Sequence, residues 1–253
     1  YYGSNRQFGT TTLNSTAGSR DIFVTKYDAN GNFQWVRSTG DSLDDRANGI
    51  IVGLDQKLYI TGEFRDHVAF GPDTIDNHGG PNGRDIFVAK MDLNGNWIWG
   101  QRAGSNSGDE SGRALVENKY HNIFVTGNCK GTVHFGNDTT FSTAGDSVQV
   151  FVAAIDTAGD WKWAVQCGGV NEDRGYGITT DSSCKIYFAG YFDSPSSTFG
   201  TQTITTYGGK DAFIARLSEG CFDYETEDSV IVVPPPVSPG DCPISIPNIF
   251  TPN

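Results

Sequence analysis

Asp21-Ile22-Phe23-Val24 returns as Asp85-Ile86-Phe87-Val88, then as Gln149-Val150-Phe151-Val152, then as Asp211-Ala212-Phe213-Ile214. The spacings are 64, 64 and 62 residues. Trp35, Trp99 and Trp163 keep the same 64-residue step. Phe-Gly pairs recur at Phe8-Gly9, Phe70-Gly71, Phe135-Gly136 and Phe199-Gly200. A fourth marker is an aromatic run ending in glycine: Tyr59-Ile60-Thr61-Gly62, Phe124-Val125-Thr126-Gly127 and Tyr187-Phe188-Ala189-Gly190. Four markers in one fixed order define an internal repeat, and a repeat of this period points to a propeller, solenoid or array.

Each unit reads as β-structure. In the second unit, Asn48 to Leu54 and Lys57 to Phe64 are strands joined at Asp55-Gln56, followed by Asp85 to Met91 and Asn96 to Arg102. Alternation and β-branched or aromatic enrichment fit a pleated surface. Asn30-Gly31, Asn94-Gly95 and Ala158-Gly159 supply the positive φ that tight hairpins require. No segment keeps a helical period. Four strands in about 64 residues predict an all-β fold, a β-propeller of four-stranded blades, whose radial repetition leaves only short sheet edges. The units fall at about 1–39, 48–102, 112–166 and 175–228, giving about four blades with the first incomplete. Tyr1-Tyr2-Gly3 is placed where Tyr59 to Gly62 ends in the next unit.

The pattern D-I-F-V-x-K-x-D-x-N-G-N-x-x-W, an acidic Gly-rich loop, then Y-x-T-G-x-F and F-G resembles the bacterial β-propeller repeat family of large secreted and surface proteins. The resemblance covers about residues 1–228. It implies the fold and an extracellular setting, and no activity, because propellers host many unrelated functions.

Residues 1–233 are assigned to the propeller and 234–253 to a tail. Pro234-Pro235-Pro236-Val237-Ser238-Pro239-Gly240 reads as an extended linker. Beyond it, Ile246-Pro247-Asn248-Ile249-Phe250-Thr251-Pro252-Asn253 resembles the opening of the gliding-motility-associated C-terminal domain, placed at 242–253, which implies export by the type IX route to the outer surface or beyond. With Tyr1 at its start and no signal peptide, the chain reads as a mature form or a fragment of a protein that continued past Asn253 or was cut there.

Composition excludes some classes. The chain has 253 residues, 37% hydrophobic, with 32 Gly and a net charge of −12. That Gly share is roughly twice the usual 7% or so. The acidic balance opposes nucleic-acid binding, which needs clustered Lys and Arg. No run reaches the roughly 18 apolar residues of a membrane helix. The five cysteines, Cys129, Cys167, Cys184, Cys221 and Cys242, include no C-x-x-C pair, and their pairing is not readable.

Candidate chemistry lies in the inter-blade loops. Asp44-Asp45, Asp109-Glu110 and Glu172-Asp173 recur at matching places and form a candidate calcium set. The rival reading pairs each acid with a nearby Arg or sets it on backbone amides. Asp28-Ala29-Asn30-Gly31-Asn32 and Asp92-Leu93-Asn94-Gly95-Asn96 look like half of a Ca²⁺ loop, but Arg37 and Gln101 stand where its Glu belongs, so both read as hairpin turns. Trp35, Trp97, Trp99, Trp161 and Trp163 suit packing between blades, or a sugar platform. His67, His78, His121 and His134 have no metal-ligand spacing. Catalytic motifs are absent, no catalytic residue is assigned, and calcium is the one cofactor the acids suggest. Asn14-Ser15-Thr16 and Asn137-Asp138-Thr139 fit the N-glycosylation pattern.

The expected function is a non-enzymatic extracellular structural module that assembles with copies of itself or is presented at the cell surface. Strand exchange is expected to involve Ser229, Val230, Ile231, Val232, Val233, Ile244, Ile246, Ile249 and Phe250 with Tyr1 and Tyr2, because an incomplete blade exposes a sheet edge. The alternative is a glycan-binding module of adhesin type. An enzyme is the third reading, and the divergent last unit, with Cys184, Tyr191 and Tyr207, is where it is sought.

Overall fold

The computed structural model describes residues 1–79, 82–106, 108–137, 139–143, 147–217 and the backbone of 244–245. It divides into two compact units, Tyr1–Gly112 and Arg113–Asn253. Among the described residues there is no α-helix, only a 3₁₀ turn at Thr16–Gly18, and no helix is long and apolar enough to cross a membrane.

The first repeat contains β1 (Tyr2–Gly3), β2 (Arg6–Phe8), β3 (Thr11–Leu13), β4 (Arg20–Tyr27) and β5 (Phe33–Thr39). The second contains β6 (Arg46–Val52), β7 (Lys57–Phe64), β8 (His67–Phe70), β9 (Asp73–Asp76), β10 (Asp85–Asp92) and β11 (Trp97–Ser105). The third contains β12 (Ser111–Glu117), β13 (Ile123–Lys130), β14 (Thr132–Phe135), β15 (Thr139–Ser142), β16 (Val148–Ile155) and β17 (Trp161–Cys167). The fourth contains β18 (Asp173–Thr180), β19 (Ile186–Phe192), β20 (Ser196–Phe199), β21 (Gln202–Thr205), β22 (Asp211–Leu217) and β23 (Ile244–Ser245).

The predicted architecture is present. Antiparallel pairing runs β6–β7–β10–β11 in the second repeat. The sheets β12–β13–β16–β17 and β18–β19–β22–β23 repeat that order. The chain is thus all-β and of β-propeller type. The structure adds an element to the four strands expected per unit. Each Phe-Gly marker ends the first strand of a short hairpin, β2–β3, β8–β9, β14–β15 or β20–β21, and all but β14–β15 form separate two-stranded sheets.

The first sheet is β1–β4–β5, with no counterpart of β6 among the described residues. Its register corrects the sequence alignment. Tyr2 lies opposite Asp21, as Phe64 lies opposite Asp85, so Tyr2 occupies the place of Phe64, two residues beyond Gly62. The 62-residue step from Phe8 to Phe70 carries the same information.

Asp28, Asp92 and Asp156 build the predicted hairpin turns. The Asp28 Oδ1 atom accepts the amides of Asn30 and Asn32 at 2.9 and 2.8 Å, and Asp92 does the same for Asn94 and Asn96 at 2.9 and 2.8 Å. Gly31, Gly95 and Gly159 have φ of 81°, 85° and 99°, a region that L side chains avoid. The carboxylate oxygens of these loops are spent on their own turn. The Asn32 side-chain amide, 2.9 Å from Asp28 Oδ2, and the Asn32 backbone amide hold Asp28 below the ordinary carboxylate range, and the Asn96 backbone and side-chain amides do the same for Asp92.

Each unit has its own core, and the two are built alike. In the first, Ile22 and Val24 of β4 pack with Leu58, Ile60 and Phe64 of β7, Phe70 of β8, and Phe87 of β10. In the second, Val150 and Val152 of β16 pack with Ile186, Phe188 and Phe192 of β19, Phe199 of β20, and Phe213 of β22. Successive side chains on a strand point to opposite faces. The third strand of a repeat therefore sends its Ile/Val pair one way and its Phe the other.

Candidate functional site

The paired acids follow the same alternation. The first member of each pair meets cations. Asp44 lies 3.4 Å from Arg20 and 3.3 Å from Arg46, Asp109 lies 3.3 Å from Arg84, and Glu172 lies 2.6 Å from Arg174 and 3.4 Å from Lys210. The second member is fully buried. Asp45 accepts the amides of Asp41 and Arg65, both at 3.0 Å. Glu110 accepts the Ser105 hydroxyl at 2.9 Å. Asp173 accepts amides from Gly169 (2.6 Å), Asp193 (3.0 Å) and Ser194 (3.3 Å), and the Ser194 hydroxyl at 2.9 Å. Neighbours on an extended chain diverge, so each pair sends one carboxylate to guanidinium and one to the interior.

Asp45 carries an electrostatic cost. Burial pushes its carboxyl up from 3.8 to about 7, and the Asp41 and Asp21 carboxylates push the same way, against the two donated amides. A carboxyl raised on folding contributes its full stability below pH 3.8 and loses it as pH rises towards 7. The first unit should lose at most about 4 kcal/mol between those limits. Asp85, also raised by burial, adds to the same trend. The expected result is a higher melting temperature at pH 5 than at pH 7.5, with Asp45→Asn flattening much of the difference. Thermal melts at both pH values check it, and a wild-type midpoint that rises with pH contradicts it.

Two groupings escaped sequence reasoning. Asp41, Asp66 and His67 bring one potential ligand atom each within 4.8 Å of one another. Asp41 has no repeated counterpart that would flag it, since Ser105 and Gly169 stand at its place in the next repeats. Glu63 is buried between Arg46 (3.2 Å) and Arg84 (3.5 Å), and Tyr191 takes its place in the fourth repeat. There the Tyr191 hydroxyl donates to Glu172, Lys210 donates to Tyr191 at 2.9 Å, and the Tyr176 and Tyr191 rings lie 5.9 Å apart. The hydrogen bond from Tyr191 is the largest cause holding Glu172 below its usual value.

The tryptophans are distributed rather than gathered. Trp97 packs edge-on against Phe70 at 4.9 Å, and Trp161 against Phe135 at 5.1 Å. Trp99 lies against Tyr59 and Trp163 against Phe124, at 6.1 and 5.8 Å. Trp35 donates its indole N–H to the Leu93 carbonyl at 3.3 Å. The histidines each have a local polar neighbour: His78 meets Asp85, His121 meets Glu117 and His134 meets Thr140. Cys129, Cys167 and Cys184 are buried.

Of the residues expected to serve assembly, Ser229, Val230, Ile231, Val232, Val233, Ile246, Ile249 and Phe250 lie outside the described residues, as do Cys221, Cys242 and Asp138 of the second glycosylation pattern. Ile244 is placed by its backbone: it pairs with Leu217, and Ser245 with Arg216, on the outer side of β22. Tyr2 is buried beside Phe23, with ring centroids 6.3 Å apart, and Tyr1 lies exposed under Arg20 and Arg46.

No family model matches the chain. It is 26% identical over 222 residues to the uncharacterized WD repeat-containing protein L264 of Acanthamoeba polyphaga mimivirus, covering 78% of this chain and 15% of that protein. It is 23% identical over 222 residues to the regulatory protein FlaEY of Caulobacter vibrioides, covering 80% of this chain and 22% of that protein. The chain thus spans less than a quarter of either relative. A relative named for WD repeats agrees with the sheet order, and the chain is a repeat protein of β-propeller type.

Proposed function

We propose that the chain is a non-enzymatic structural module that works outside the cell and assembles with copies of itself through sheet edges. The reading rests on one observation above all. β19 pairs with β22 from Asp211 to Leu217, but on the outer side β23 pairs only with Arg216 and Leu217. Asp211–Ala215 has no outer ladder partner among the described residues, whereas β10 and β16 are paired along both sides. An open edge of this kind binds strands through backbone hydrogen bonds and needs no pocket. The repeated acids support the same reading, since each already serves a guanidinium, an amide or a hydroxyl of the fold. Export by the type IX route belongs to this proposal and rests on the tail's resemblance alone.

Negative-stain electron microscopy of the full chain, with and without residues 229–253, tests it. Filaments or layers that vanish on truncation are expected. Discrete monomers in both samples overturn it.

A second reading has its own support. The half-exposed Tyr176 ring beside Tyr191, with Arg113 5.7 Å from its centroid and Lys210 4.3 Å from that of Tyr191, suits stacking on a sugar. A glycan array with no hit, or hits unchanged in Tyr176→Ala, removes it.

A further inference from the structure

The two cores share a knob-and-hole junction. The knob is an Ile/Val pair on the third strand of one repeat. The hole is three aromatics of the next: Phe64, Phe70 and Phe87 in the first unit, Phe192, Phe199 and Phe213 in the second. Seated knobs are buried. Ile22 and Val150 are 0% exposed, Val24 6% and Val152 0%.

The first repeat has a hole of the same composition. Tyr2, Phe8 and Phe23 precede Phe64, Phe70 and Phe87 by 62, 62 and 64 residues. The floor is preformed: Phe8 and Phe23 lie 4.8 Å apart, against 5.0 Å for Phe70–Phe87 and 4.7 Å for Phe199–Phe213. These side chains line an open cavity of about 670 Å³ rimmed by Arg6, Arg20 and Asp44. The fourth repeat has a knob, Ala212 and Ile214, on the free face of β22. Ile214 is 65% exposed where its counterparts Val24, Val88 and Val152 are buried.

Among the described residues, nothing fills the hole of the first repeat or covers the knob of the fourth. We propose that a second copy of this chain supplies the missing partner, the Ala212/Ile214 knob of one copy seating in the Tyr2/Phe8/Phe23 hole of the next. The contact is heterologous: it uses two different faces, so it yields a ring where the rotation closes and a filament where it does not. This rests on the self-assembly reading above and adds to its edge pairing a contact between sheet faces. Both faces depart from the internal junctions in the same direction. Arg6 stands where Val68 does, and Ala212 where Ile22 and Val150 do. The contact is less apolar than an internal junction, so association should be reversible and concentration-dependent.

Mixing tests the pairing directly. One full-length sample carries Ile214→Cys and a second, isotope-labelled, carries Phe8→Cys. Gln7→Cys on the exposed rim replaces Phe8→Cys if that variant does not fold. Under mild oxidation the mixture should give a cross-linked dimer of one light and one heavy chain, above the background of wild type and of each variant alone. Ile214→Arg should abolish association at an unchanged melting temperature, because Ile214 is exposed in the single chain. No mixed dimer, or a double-cysteine chain that closes on itself as a monomer, overturns the proposal. Assembly that survives Ile214→Arg but is lost without residues 229–253 overturns this interface and leaves the structural-module reading standing.

Discussion

Asp173→Ala should cost the second unit about 4 kcal/mol, since bonds to a charged acceptor contribute about 1.5–3 kcal/mol each and orphaned buried donors about 1–3. The carboxylate is fully buried and gathers the amides of Gly169, Asp193 and Ser194 together with the Ser194 hydroxyl. These donors come from the loop before β18 and the turn after β19, so one side chain ties together Gly169 and Asp193, 24 residues apart. Alanine leaves three amides, one buried and two half-buried, without their acceptor. Asp173→Asn keeps the shape but offers one acceptor oxygen in place of two, and should fall between. Urea unfolding of the full chain, followed by the exchange of β18 and β19 amides, measures the loss. A change below about 1 kcal/mol contradicts the role given to Asp173, because even one lost charged bond exceeds it.

Gly62→Val should destabilise the first unit by about 3 kcal/mol or more, the upper range for overpacking a tight site. A Cβ on Gly62 would lie 1.9 Å from the Arg46 carbonyl oxygen and 2.7 Å from the Phe87 ring. The cause is the register shift between Ala47 and Gly49, which brings β6 onto β7 at this point. Gly190 repeats the arrangement at 1.8 Å from the Arg174 carbonyl oxygen, beside the shift between Gly175 and Gly177. Gly31→Ala is the matched control. Nothing lies within 4 Å of its Cβ, so only the strain of φ 81° opposes alanine, about 1 kcal/mol. Chemical denaturation of both variants gives the comparison. Equal losses would mean that the Gly62 position is conformational rather than steric.

The reach of the sequence follows from what repeats. Aromatic and β-branched runs announce strands, so β7, β10, β13, β16, β19 and β22 were legible with their order. The hairpin turns were legible through Asp-x-x-Gly chemistry. The small Phe-Gly hairpins were marked but not recognised as strand pairs, because β8 and β9 are four residues each and too short to show a period. The Tyr2 register was misjudged because the glycine of Tyr1-Tyr2-Gly3 imitates Gly62, while the Phe-Gly spacing carried the right answer. The paired acids were found as pairs, but adjacency in sequence is divergence in a strand, and their division between guanidinium and interior needed coordinates. Asp41 and Glu63 were invisible because their positions do not repeat in type. The aromatic hole could be counted from spacings alone. That Ile214 stands bare while Val24 is covered needed a surface.

Hydrogen–deuterium exchange of the full chain over a range of concentrations tests the central claim most directly, because it reads both faces in one experiment. If copies join knob to hole, amides in Tyr1–Phe23 and in Ala212–Ala215 should gain protection together as concentration rises, while β7, β10 and β16 stay unchanged. Exchange in those two segments that is the same at every concentration contradicts the account.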